Sequence, residues 1–186
     1  FIVGKSDPHQ DWPYVQPGPV DGWAGGRSHT FSTVFGLKSL PLSGECRLVI
    51  DLLDTQKSLP PRLRIDVNGQ SFEVQPPPGA GDASVYGNPG QGREHKFDVS
   101  FPVNTLHIGN NHVAVTTLTG SWVLYDWIGL EAPAGIELGE DAGGDAEGAA
   151  GRPALKSRIK SDGGLAAAEG AAGEADRKGD EPSAAG

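Results

Sequence analysis

Residues 123–130, VLYDWIGL, restrict the fold of this chain more than any other stretch. Apolar side chains stand on both alternating faces, with Val123, Tyr125 and Trp127 on one and Leu124, Ile128 and Leu130 on the other. A short run of this kind is a central strand covered on both sides. Asp126 falls in line with Leu124 and Ile128. An isolated charge there is prohibitively costly, so the carboxylate must be paired or hydrogen-bonded. Upstream, residues 112–118 form a β-branched run that follows a Gly109-Asn110-Asn111 turn and is broken by Thr119-Gly120. The two runs read as strands of one sheet, around which the rest of the folded chain is expected to be built.

Further strands follow at regular spacing. Residues 1–4 are a short apolar start, expected as an edge strand. Residues 30–37 alternate, with Phe31, Thr33 and Phe35 on one side, and residues 47–53 run LVIDLL around Asp51. Residues 62–74 read as a hairpin in which Leu63, Ile65 and Val67 alternate with Arg62, Arg64 and Asp66. Asn68-Gly69 supplies the two left-handed residues that its tight turn requires. Residues 96–103 alternate Phe97, Val99 and Phe101. Two loops, 5–29 and 76–93, are too rich in Pro and Gly for regular structure, apart from a short strand expected at 84–86. About eight strands, turn signals throughout and no convincing helix predict an all-β chain. The expected architecture is an antiparallel sandwich or jelly roll over residues 1–133, followed by a tail over 134–186.

The tail follows from composition. Residues 134–186 hold no aromatic side chain and few large apolar ones, too little surface to offset the entropy of ordering. They are expected to be a disordered, Ala/Gly/Glu-rich linker, in which 152–160 is a basic island with transient helical character. The formal charge is -9 for the whole chain, acidic both in the sandwich portion and in the tail. That balance argues against nucleic acid and against an anionic membrane as partners. No run reaches the roughly 18 apolar residues of a membrane span. With one cysteine, Cys46, no internal disulfide is available, and the thiol is expected to be packed and inert. The chain carries no initiating Met and no signal peptide, so it reads as a piece of a longer or processed protein.

Catalytic patterns are lacking at the level of motif. His9, His29, His95, His107 and His112 are scattered and show no metal-ligand spacing. Neither a nucleophile elbow nor a phosphate loop is present. A sugar-binding surface is better supported, because the C–H face of a sugar ring stacks on Trp or Tyr while Asp, Asn and Arg bond its hydroxyls. The two long loops offer Trp12, Tyr14, Asp21, Trp23, Arg27, Asp82, Tyr86 and Arg93 for this purpose. The structural alternative is that Trp12, Tyr14 and Trp23 cap the sandwich and cover Tyr125 and Trp127.

Six segments taken in order carry a family resemblance: FIVGKSD at 1–7, WPYVQPGPVDGWAG at 12–25, VNG at 67–69, GAGDASVYG at 79–87, LHIGNNHVAVTT at 106–117 and GSWVLYDWIGLE at 120–131. Together they resemble the C-terminal domain of rhamnogalacturonan lyases of polysaccharide lyase family 4, over about residues 1–133. The resemblance implies a galactose-binding-like jelly roll that serves as a non-catalytic carbohydrate-binding or accessory module. Lyase chemistry would belong to a separate catalytic domain of the parent enzyme, outside this chain. The implied partners are a pectin-like or other plant or algal polysaccharide and that catalytic domain, and the implied location is extracellular or periplasmic. Jelly rolls of this kind often hold a structural calcium, for which Asp7, Asp21, Asp82 and Glu131 are candidate oxygen ligands; the favoured alternative is that these carboxylates serve as capping or turn residues. Residues 12–25 are richer in Trp and Pro than the lyase pattern, which leaves the ligand open. The rival expectation is a purely structural sandwich that packs on a catalytic domain without binding sugar.

Overall fold

A computed structural model of the protein describes residues 1–139 and the backbone of residues 156–160 and 165–169. The rest of the expected tail lies outside the described residues. Within residues 1–139 the chain forms one single-turn α-helix, α1 (Pro8–Asp11), three 3-10 turns (Gly22–Ala24, Pro89–Gln91 and Val103–Thr105) and nine strands: β1 (Val15–Gln16), β2 (Thr30–Ser39), β3 (Glu45–Thr55), β4 (Arg62–Val67), β5 (Gln70–Val74), β6 (His95–Pro102), β7 (Gly109–Thr119), β8 (Val123–Glu131) and β9 (Glu137–Leu138). One sheet has the order β5-β4-β7-β2-β9. The other places β8 between β3 and a shared edge, with β6 beyond β3. β1 pairs with the first half of that edge of β8, and β11 (Leu165–Glu169) with the second half, beyond which lies β10 (Lys156–Lys160). All pairings between named strands are antiparallel, and the expected sandwich forms.

The strands of the two sheets turn their apolar sides to one another. Phe31, Phe35 and Leu37 of β2, Leu63, Ile65 and Val67 of β4, and Val113 and Val115 of β7 face Cys46, Leu48, Ile50 and Leu52 of β3, Val99 and Phe101 of β6, and Val123, Tyr125 and Ile128 of β8. The period-2 alternation of the sequence is thus the division between core and outside. Asn68 and Gly69 take φ of 47° and 91°, as the β4–β5 turn requires. The Asn68 side chain then ties this turn to its neighbours. It donates to the Thr105 carbonyl and to Asn111 Oδ1 at 2.8 Å each, and accepts from His112 N.

β8 departs from simple alternation. Asp51 pairs with Trp127 but Leu52 pairs with Tyr125, so Asp126 is an extra, bulged residue. A bulge of this kind shifts the pleat by one residue. Tyr125 and Ile128 therefore both point into the core, and Trp127 comes out beside Asp51, where unbroken alternation would have put it on the Tyr125 face. A second shift, between Leu52 and Asp54, restores the pairing at Thr55 and Val123.

One expectation of topology is corrected: β7 and β8, read as strands of one sheet, lie in opposite sheets, β7 between β4 and β2 and β8 beside β3, so the Gly120 turn carries the chain from one sheet to the other. Three local expectations are also corrected by backbone bonding. Residues 1–4 make a parallel bridge, Ile2 to Val34, instead of a strand. Residues 84–86 are a turn in which Tyr86 N and Asn88 N bond the carbonyls of Asp82 and Ala83, so no strand partner is needed. Lys156–Lys160, read as transiently helical, is the strand β10, its backbone paired with β11. The sandwich also continues past residue 133, since Ile136 and Leu138 pack against the core and β9 pairs with β2.

Cys46 is fully buried, and burial pushes its thiol up to about 11. Because the thiolate is the reactive form, the folded protein is expected to resist iodoacetamide at pH 8 and to be alkylated at Cys46 once unfolded. Rapid alkylation of the native chain would contradict this placement.

Candidate functional site

The strand registers bring the long loops to one end of the sandwich. β1 ends and β8 begins there (Gln16 opposite Val123), as do the start of β2 and the end of β7 (Thr30 opposite Thr116). The end of β3, the start of β4, the end of β5 and the start of β6 lie at that same end. Loops 17–29, 56–61, 75–94 and 120–122 therefore cluster there, drawing together segments far apart in sequence.

Both aromatic loops are pinned. In the first, the buried Asp21 accepts from Gly18 N at 2.7 Å and from the hydroxyl of Ser121, fastening the loop to the β7–β8 turn. Gln16, also buried, bridges the sheets. Its Nε2 donates to the carbonyls of His29 and Val115 at 2.8 and 2.9 Å, and its Oε1 accepts the Tyr125 hydroxyl at 2.7 Å. Burial drives the Tyr125 phenol far above its ordinary range, which keeps it a neutral donor. In the second loop, the fully buried Asp54 accepts from Thr55 N and Ala80 N through Oδ1, at 2.9 and 2.8 Å, and from Ser84 Oγ through Oδ2 at 2.6 Å. Gly79 is held so closely that an added Cβ would lie 2.0 Å from the Thr55 carbonyl oxygen and 2.1 Å from Asp54 Oδ1. Only glycine fits there.

The proposed sugar contacts separate into two groups. Trp12 is 1% exposed and makes edge contacts with Phe1, Phe31 and Tyr125 at centroid distances of 5.2, 4.0 and 6.1 Å. It is a core side chain with no face left for a ligand, a correction to its reading as a stacking residue. Asp21 is likewise a buried loop anchor and has no free oxygen to offer a hydroxyl. Tyr14 is half-buried, and its carbonyl accepts from Tyr125 N. Burial, and then the charge of Asp126, raise its phenol. Trp23 is 68% exposed and Tyr86 84% exposed. Arg27, Asp82 and Arg93 are exposed in the same two loops, and Arg93 Nη1 donates to the Pro78 carbonyl at 3.2 Å. The alternative that all three rings of loop 12–23 cap the core thus holds for Trp12 and fails for Trp23.

The four carboxylates expected to gather round a cation do not meet. Asp7 caps α1, accepting from His9 N at 2.9 Å, and this bond together with one from Gln10 holds its carboxyl below the usual range. Asp21 is used within its loop, and Asp82 is an exposed turn residue. Glu131 pairs with Arg47 at 3.2 Å, which also pairs with Asp98. Among the described residues, the group with ligand spacing is a different one: one oxygen each of Asp51, Glu94 and Asp126, all within 4.8 Å of one another. It sits on the outer face of the β6-β3-β8 sheet. Asp126 stands out in the sequence as a charge inside an apolar strand. Asp51, inside LVIDLL, carries the same signal, and the two strands turn out to be neighbours.

A two-sheet antiparallel sandwich whose pinned loops present exposed rings at one end has the build of a carbohydrate-binding module. Residues 1–130 match the family model for CBM-like domain III of polysaccharide lyase family 4, and the chain belongs to that family. Among solved structures, it is similar to a family 35 carbohydrate-binding module from an environmental isolate. The identity is 13% and the TM-score 0.34, over 61% of this chain and 70% of that one. Comparison with curated proteins gives no match. The chain is therefore an accessory domain of the carbohydrate-binding type, as its motifs imply.

Proposed function

We propose that this domain binds polysaccharide at its loop end, holding a catalytic partner domain close to a pectin-like or related plant or algal glycan, outside the cell or in the periplasm. The observation that carries this reading is the exposure of Trp23 and Tyr86 on two separately pinned loops at that end. Two large exposed rings have a cost in water that a stacked sugar face removes. Arg27 and Arg93 add donors suited to hydroxyls and to uronate carboxylates, and Asp82 an acceptor. Fixed loops lower the entropy lost on binding, because they are ordered before the ligand arrives.

Calorimetric titration with rhamnogalacturonan, galactan and polygalacturonate oligosaccharides tests the proposal. Saturable binding to at least one is expected. Trp23→Ala and Tyr86→Ala should each weaken it by about tenfold or more while leaving thermal stability nearly unchanged, since neither ring is part of the core. Failure of every glycan to bind, with both variants folded, would favour the purely structural role.

A further inference from the structure

We infer that Asp51, Glu94 and Asp126 form a binding site for one divalent hard cation, of the Ca²⁺ class, on the outer face of the β6-β3-β8 sheet. The site involves none of the four carboxylates that sequence reasoning put forward, and it does not rest on the sugar-binding reading.

Asp51 is the reason to look for a ligand here. Its side chain is 5% exposed, and its Oδ1 is buried without a hydrogen-bond partner among the described residues. Buried carboxylate oxygens are normally satisfied, because an unmet acceptor of full charge is costly. The nearest counter-charge, Lys96 Nζ, is 3.8 Å from Oδ2, too far for a hydrogen bond. Lys96 is also drawn over the Trp127 ring, 4.1 Å from its centroid. Burial first, and then Glu94, push the Asp51 carboxyl up, with Lys96 and the Trp127 indole offsetting this in part. The buried Asp51 carboxylate thus faces a second carboxylate, Glu94, against a single distant ammonium, an imbalance that a divalent cation would offset.

The geometry suits such an ion. The three oxygens come from three different strands or strand ends, and the bulge at Asp126 adds its carboxylate to this group. Asp126 engages a further group as well, and the inference rests on Asp51 rather than on any vacancy at Asp126. Glu94 is exposed and Asp126 half-exposed, so water can complete the coordination. Ca²⁺ takes six to eight oxygens in irregular arrangements, whereas Mg²⁺ demands a near-ideal octahedron. An assembly of one rigid buried carboxylate, one bulge residue and one loop residue fits the more tolerant ion.

The test uses the whole chain after treatment with chelator. Calorimetry with Ca²⁺ is expected to give one site per chain. Tb³⁺, which replaces Ca²⁺, should luminesce on tryptophan excitation because Trp127 is the cross-strand partner of Asp51, and Ca²⁺ should quench that signal by displacement. Trp127→Phe should remove most of the sensitised emission while Ca²⁺ still binds. Asp51→Asn and Glu94→Gln should each weaken Ca²⁺ binding by about tenfold or more, and Asp82→Asn should leave it unchanged. No saturation by about 10 mM Ca²⁺, above the range of the weaker module sites, would overturn the inference. So would undiminished affinity in folded Asp51→Asn. Should Asp51→Asn fail to fold, the exposed Glu94→Gln decides, and unchanged affinity there overturns it equally. Calcium binding without glycan binding, or the reverse, separates this site from the proposed sugar surface.

Discussion

Replacing Trp12 by alanine is expected to lower the folding free energy by about 3–5 kcal/mol, the range for deleting a buried large aromatic side chain. Trp12 lies where Phe1, Phe31 and Tyr125 converge, with 1% of its surface exposed. Its removal forfeits the edge contacts to all three rings and leaves a cavity between β2 and β8. Equilibrium unfolding in urea would show the loss as a lower midpoint at unchanged slope. Trp12→Phe should be far milder. The indole Nε1 is buried without a partner among the described residues, so the smaller ring gives up volume but removes an unmet donor. Trp23→Ala is the matching control, with a stability change within about 0.5 kcal/mol, as usual for an exposed side chain. Equal stability losses at Trp12 and Trp23 would contradict the division of the loop into a core half and a surface half.

Asp54→Ala is expected to destabilise the domain by about 2–4 kcal/mol and to release the loop that carries Tyr86 and Arg93. The carboxylate serves three donors: the amides of Thr55 and Ala80 and the hydroxyl of Ser84. Alanine leaves all three without this acceptor; Thr55 and Ser84 are buried, where an unmet group costs about 1–3 kcal/mol before relaxation, while the part-buried Ala80 amide can turn to water as its loop opens. Relaxation is easiest in the loop, so part of the cost will appear as loop opening. Asp54→Asn keeps one carbonyl oxygen for the two amides and should retain most of the stability. Hydrogen exchange at Ala80 distinguishes the outcomes. Its amide should exchange much faster in Asp54→Ala and nearly as slowly as wild type in Asp54→Asn. If Ala80 stays protected in Asp54→Ala, the anchor lies elsewhere. If glycan binds at this end, the alanine variant should also bind it more weakly, because the loop must then be ordered on binding.

These two residues also mark how far the sequence can be read. The sandwich follows from alternation, because a strand's period of two decides which side chains meet the other sheet. Leu63, Ile65 and Val67 show it in β4, and the left-handed pair Asn68-Gly69 marks where the hairpin turns. The central position of β8 follows from its apolar residues on both faces. Asp126, as a charge in that strand, was a visible anomaly, and so was Asp51 in β3. What neither shows alone is that the strands are adjacent and that a bulge brings the two carboxylates together with Glu94.

The sequence by itself determined the all-β class, the two-sheet core, the hairpin, the family and the loops that hold the exposed rings. Each of these depends on local pattern, on period and turn chemistry that operate over a few residues. Only the tertiary structure decided which rings face water. Trp12 and Trp23 stand in one Pro- and Gly-rich loop of uniform composition. Their opposite fates depend on bonds to Ser121 and Tyr125, partners 100 and 109 residues away in sequence from Asp21 and Gln16. The grouping of carboxylates is non-local in the same sense. Ligand spacing in a sheet is set by register and by bulges, and these are the outcome of packing two sheets together.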